Sequence, residues 1–217
     1  MSILMRVYIF ILLSLCVTSC SYRGLEYDKW RASLPEVVQD VYPELLDSRG
    51  YSRGTNYFPD SPYKPKTKYR YTYWEVTFPQ VNDEEFYRLK KDFKLKAKSI
   101  KKPTDGIFCP FGFYDSSSTI EFKPWDRYVD KFVTDYENTD ELPIPKAVDM
   151  YRERAGTKNG YPESSTIYVI DAKPGKYMRE EDLQDGDFMP DGWKHGFSKG
   201  AIFNDADREI TFYGMIW

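Results

Sequence analysis

The sequence predicts an α+β fold: a single domain with a mostly antiparallel sheet and about four helices. Three observations carry this. Segments of strand and helix pattern follow one another without regular alternation. Several strand-like runs are joined by short connections. The stretch Ile210–Trp217 is apolar enough to lie inside a sheet rather than fray. With 18% aromatic and 41% apolar residues, the chain of 217 can build a core, which sets aside global disorder.

The elements follow in order. Ser33-Leu34-Pro35-Glu36 has the form of a capping box with proline near the first helical position. Val37, Val38, Val41 and Leu45 then recur at helical spacing, predicting a helix over 34–46 that Pro43 bends or ends. Residues 49–68 hold Gly50, Gly54, Pro59, Pro62 and Pro65 and read as an internal loop. Tyr69–Phe78 is rich in aromatic and β-branched residues and reads as a strand. Asn82-Asp83-Glu84-Glu85 opens a helix with acids at its positive end, and Phe86, Leu89 and Phe93 line one face. After Phe93 the period changes towards two.

Ile107–Tyr114 and Thr119–Lys123 read as short strands. Pro124 opens a helix with Trp125, Tyr128, Val129 and Phe132 on one face, and Pro145–Ala155 reads as another, closed by Gly156. Ser165–Ala172 is a strand, and Ala201–Asn204 with Glu209–Trp217 forms a final hairpin.

The first twenty residues are of a different kind. Arg6 is their only charge, and Val7–Val17 is apolar apart from Ser14. Such a run is too short to span a bilayer, which takes about 20 residues. It has the length of the apolar core of a secretory signal. Small residues follow, and then a cysteine: Val17-Thr18-Ser19-Cys20. This motif resembles the lipobox of bacterial lipoproteins, with Val17 standing where the pattern prefers leucine. The resemblance covers the leader alone. It implies cleavage after Ser19, acylation of Cys20, and a membrane partner held through that lipid. Ser21, rather than aspartate, implies the outer membrane, facing the periplasm. The resulting division is a signal peptide over 1–19, a lipidated cysteine and tether over 20–33, and the folded domain over 34–217.

Composition narrows the chemistry. Lys and Arg total 31 against 34 Asp and Glu, so no whole-molecule field attracts nucleic acid. His195 is the only histidine, which excludes sites needing two from one chain. With Cys16 in the leader and Cys20 acylated, Cys109 has no disulfide partner. Its apolar setting, Ile107–Phe111, fits a structural thiol better than a nucleophile paired with His195.

Gly196-Phe197-Ser198-Lys199-Gly200 matches G-x-S-x-G. A strand-like run follows it and no histidine lies downstream, so a hydrolase elbow does not fit. Two S-x-x-K matches, at Ser61 and Ser99, lack their partner motifs. Asp182, Asp185, Asp187 and Asp191 share a loop, but their spacing is not that of a calcium loop. No metal and no cofactor is called for.

Arg88–Lys102 holds eight basic residues against Asp92. It reads first as a solvated face. The functional alternative is attraction to anionic headgroups, worth up to about 1 kcal/mol per basic residue.

The aromatic clusters at Tyr57–Tyr63 and Tyr69–Trp74 exceed what one buried strand face holds. Tyr57, Tyr63, Trp74 and Trp193 are therefore the candidate binding rings. The leading expectation is a non-enzymatic binding or interaction module in the bacterial envelope, its ligand a protein or a glycan. One concrete version is an immunity-type lipoprotein that blocks a toxin's basic cleft. The rival class is an envelope hydrolase using two carboxylates.

Overall fold

The structure is a computed structural model and describes residues 24–55, 72–103, 142, 161–182 and 192–217. Its centre is a six-stranded antiparallel sheet in the order β1-β2-β6-β5-β4-β3. The strands are β1 Ser52–Thr55, β2 Thr72–Phe78, β3 Ser99–Lys101, β4 Ser165–Pro174, β5 Gly196–Asn204 and β6 Glu209–Ile216. Three helices accompany them among the described residues: α1 over 24–32, α2 Glu36–Gln39 and α3 Asp83–Lys96. The molecule is thus a sheet-dominated α+β fold, as expected. The predicted elements at Ile107–Tyr114, Thr119–Lys123, Pro124–Phe132 and Pro145–Ala155 lie outside the described residues.

Alternation along the strands sorts side chains onto two faces. Trp74, Val76 and Phe78 share one face with Phe197, Ala201, Phe203, Ile210, Phe212 and Ile216. All are buried, and the three helices pack into the same cluster through Tyr27, Val38, Phe86 and Leu89. Ile167, Val169, Ile202 and Tyr213 point the other way and form a second buried cluster with Tyr161, against which Leu142 and Trp193 pack. Burial on both faces explains why β5 and β6 read as near-continuous apolar or small runs. Each large side chain so buried contributes about 1.5–3 kcal/mol.

Two glycines set the spacing of the layers. A Cβ on Gly214 would stand 2.6 Å from Val38 Cβ and 3.0 Å from the Tyr42 hydroxyl oxygen. Its absence lets α2 and the following turn lie directly on β6. The Tyr42 hydroxyl then donates to the Trp74 carbonyl at 2.6 Å. Likewise, a Cβ on Gly200 would meet the Tyr168 carbonyl oxygen at 2.0 Å and the Tyr213 hydroxyl at 2.6 Å. Opposite Gly214, Lys199 is buried on the helix side, and its ammonium reaches the Asp40 carboxylate at 2.5 Å.

The helices depart from expectation in instructive ways. Residues 24–32, read as tether, form α1. Tyr27 is fully buried there, and its hydroxyl donates to the Pro43 carbonyl at 3.0 Å. Residues 24–32 are therefore part of the folded body. Ser33 does not cap the next helix: its hydroxyl donates back to the Trp30 carbonyl at 2.6 Å, and Pro35 occupies the cap of α2 with no side-chain bond. The predicted helix over 34–46 shrinks to four residues. The β-branched run Val37, Val38, Val41 and the constraint that Pro43 places on Tyr42 account for that.

α3 agrees with its signals. The Asn82 side chain accepts from the Glu85 amide at 2.9 Å, acids fill the first turn, and Lys94 and Lys96 fill the last. The helix crosses the sheet, with its start pinned by Arg208 in the β5–β6 turn. The Arg208 guanidinium donates to Asp83 at 2.7 Å and lies over the Phe86 and Tyr87 rings. A bulge in β4 between Val169 and Asp171 turns Asp171 towards Lys98, at the junction of α3 and β3.

Candidate functional site

Among the described residues, an open concavity lies where β1, β2 and β6 end together. It is a cleft of about 840 Å³ lined by Arg49, Gly50, Tyr51, Ser52, Arg53, Thr77, Pro79 and Glu209. The local sequence explains its shape. Gly50 takes φ 141, a conformation that favours glycine. The Ser48 hydroxyl donates to the Gly50 carbonyl at 2.6 Å, and the Arg49 amide donates to the Pro79 carbonyl at 3.4 Å. The turn is thereby tied to the end of β2, and Arg49 and Arg53 stand on one edge of the sheet.

Both arginines are exposed, and neither pairs with a carboxylate among the described residues. Arg53 is held instead by rings. Its guanidinium carbon lies 5.8 Å from the Trp30 centroid and 5.7 Å from that of Tyr51, and one nitrogen donates to the Glu26 carbonyl at 3.4 Å. Such ring contacts favour the guanidinium without neutralising it. Nearby, the Thr77 and Thr211 hydroxyls are 2.9 Å apart. Burial, and then the neighbouring Glu75 charge, push the Tyr73 hydroxyl up to about 12. Burial likewise raises Tyr27 and Tyr42. These tyrosines stay protonated at neutral pH.

Two cations against Glu209 favour binding of an oxyanion, because a guanidinium matches carboxylate or phosphate geometry with two parallel hydrogen bonds. The paired carboxylates of a glycosidase are not what lines the cleft: among its lining residues Glu209 is the one acid.

The ring residues singled out from sequence fare differently. Trp74 is 4% exposed and belongs to the helix-side core, so it offers no open ring face. Trp193 is half-buried and stacks on Trp217 at 5.9 Å, its carbonyl accepting from the Trp217 indole at 2.8 Å. Tyr57, Tyr63, Cys20 and Cys109 lie outside the described residues. Tyr51, the ring that does line the cleft, was missed, as was Trp30, which lies near the Arg53 guanidinium. The usable signal was the run Arg49-Gly50-Tyr51-Ser52-Arg53, which spaces two arginines around a ring and a flexible turn.

The remaining motifs settle as structural features. Ser198 is 1% exposed in the middle of β5, paired with Ala172 and Met215, which is no place for a nucleophile elbow. The His195 carbonyl accepts from the Gly175 amide at 2.9 Å. Asp182 binds Arg179 at 2.8 Å, while the other acids of that loop lie outside the described residues. Among the described residues, no group of three His, Cys, Asp or Glu is placed to hold a metal, and no helix is long and apolar enough to cross a membrane.

No protein-family model, no curated protein and no solved structure matches this chain.

Proposed function

We propose that this chain is a bacterial envelope lipoprotein, acylated at Cys20 and held at the outer membrane facing the periplasm. Its body is read as a non-enzymatic binding module built on the sheet-dominated α+β fold. The leader, an apolar run ended by Val17-Thr18-Ser19-Cys20, supports the anchorage. The observation that carries the binding role is the edge cleft. Two exposed arginines without carboxylate partners among the described residues, one lying near Trp30 and Tyr51, suit an acidic ligand.

The ligand is read as a carboxylate- or phosphate-bearing group, most simply an acidic stretch of a partner protein or glycan. The paired-acid hydrolase finds no support in the cleft lining. An immunity role needs an acidic blocking face, and the cleft is basic.

Two measurements test the proposal. Feeding cells a fatty-acid analogue should label the wild-type chain and leave Cys20→Ala unlabelled and uncleaved; an unlabelled wild type ends the anchorage reading. A fluorescent oligo-glutamate peptide should bind the chain. Arg49→Gln with Arg53→Gln should weaken that binding about tenfold or more, since hydrogen bonds to charged groups are worth about 1.5–3 kcal/mol each. Equal binding by both forms removes the cleft from the account.

A further inference from the structure

The outer side of α3 carries a second basic surface built on another plan. Several charges along this stretch are already matched. Lys90 binds Asp205 at 2.5 Å, Lys98 binds Asp171, and Arg88 lies between Glu85 and Asp92 at 3.7 and 3.6 Å. Lys91, Lys94 and Lys96 are not matched: all three are exposed and have no ion-pair partner among the described residues.

Leu95 stands among them, 78% exposed, and Ile100 follows at the start of β3, 45% exposed. Core packing does not account for Leu95. Phe86, Leu89 and Phe93 supply the face of α3 that meets the sheet, and Leu95 points away from it. Isolated exposed leucines are ordinary. Here an exposed leucine and an exposed isoleucine lie five residues apart in sequence, with the unmatched Lys91, Lys94 and Lys96 beside the leucine.

We infer that this surface docks the domain onto an anionic lipid bilayer. Lys91, Lys94 and Lys96 meet headgroup phosphates, and Leu95 and Ile100 enter the boundary of the acyl region. Two features favour a bilayer over an acidic protein. The cations are lysines, which act as hydrated point charges rather than planar forks. They lie on the exposed surface of a helix rather than in a cleft. The inference extends the anchorage proposed above, and its test separates the two.

The full chain is co-sedimented with vesicles of phosphatidylcholine alone and with vesicles that also contain phosphatidylglycerol. The acyl chains contribute to both, so the ratio of the two affinities isolates the lysines. At about 1 kcal/mol per basic residue near the surface, each Lys→Gln should lower that ratio about fivefold, and the triple variant about a hundredfold. The triple Lys→Arg variant should keep the ratio, which guards against a misfolding artefact. Leu95→Ser should weaken binding to both vesicles by a few-fold. An unchanged ratio in the triple Gln variant overturns the inference, as does release of wild-type chain from vesicles of both kinds by a trace of acidic peptide. Loss of acylation at Cys20 lowers both affinities together and leaves the ratio standing.

Discussion

The sheet has two outer strands, and both ends are basic in different ways. At the β1 end the cations are Arg49 and Arg53, set on a tied turn, with Arg53 held against Trp30 and Tyr51. At the β3 end they are Lys91, Lys94 and Lys96, on an exposed helix surface with Leu95 among them. A charge count treats the two alike. Physical chemistry does not. A guanidinium stacks, sheds water easily and bonds an oxyanion in a fixed plane; an ammonium keeps its water and contributes mainly field. On the readings proposed above, one end selects a ligand and the other adheres to a charged surface.

The strongest way to break this comparison is to damage what both ends share. Gly214→Val places a side chain where Val38 and Tyr42 already sit. Overpacking of this kind costs about 1–3 kcal/mol, and the melting temperature should fall by roughly 3–10 °C. Peptide and vesicle binding should then weaken together on warming. An unchanged melting temperature refutes the close seating of α2 on β6.

A smaller effect sharpens the contrast. Arg53→Lys should reduce oligo-glutamate binding about tenfold, because stacking and the two-pronged contact are both lost. Lys94→Arg should leave vesicle binding within about twofold. Equal losses in the two assays mean that the ends do not differ in kind.

The smallest effect is set by pH. Burial raises the Asp171 carboxyl, but hydrogen bonds from Lys98 and Lys173 outweigh it and hold the group below its ordinary value. A pKa lower in the folded than in the unfolded state stabilises above the unfolded value. That contribution is lost as pH falls through the folded one. Lys98 and Asp171 join the α3–β3 junction to β4. Acidification below about pH 4 should therefore loosen β3 before β1, read as faster amide exchange at Ser99–Lys101. Lys98→Met should flatten that dependence; simultaneous loosening of both ends contradicts it.

Legibility in the sequence followed periodicity. α3 was readable from its cap, its acids and Phe86, Leu89 and Phe93, because each signal is local. β2, β4 and β6 were readable because aromatic and β-branched residues crowd them. α1 was hidden: its start is polar, and Tyr27 is buried only because Phe78 and Tyr51 lie at 5.8 and 5.3 Å from it, contacts made across the fold. β1 was read as loop because Ser52-Arg53-Gly54-Thr55 has little intrinsic strand preference and is a strand by pairing with β2. The cleft was missed for the same reason, since Thr77, Pro79 and Glu209 come from distant elements. Trp74 was picked as a binding ring on composition alone, and the sheet turned it inward.

The order of strands along the chain has a consequence for biogenesis. β6 comes last of the six yet lies between β2 and β5, and Thr72 meets Ile216 across 144 residues. Until β6 is synthesised, β1 with β2 and β3 with β4 and β5 are two separate patches with no common ladder, and joining them requires closing a long loop. Nascent polypeptide is thus kept from completing its sheet until its last strand has emerged.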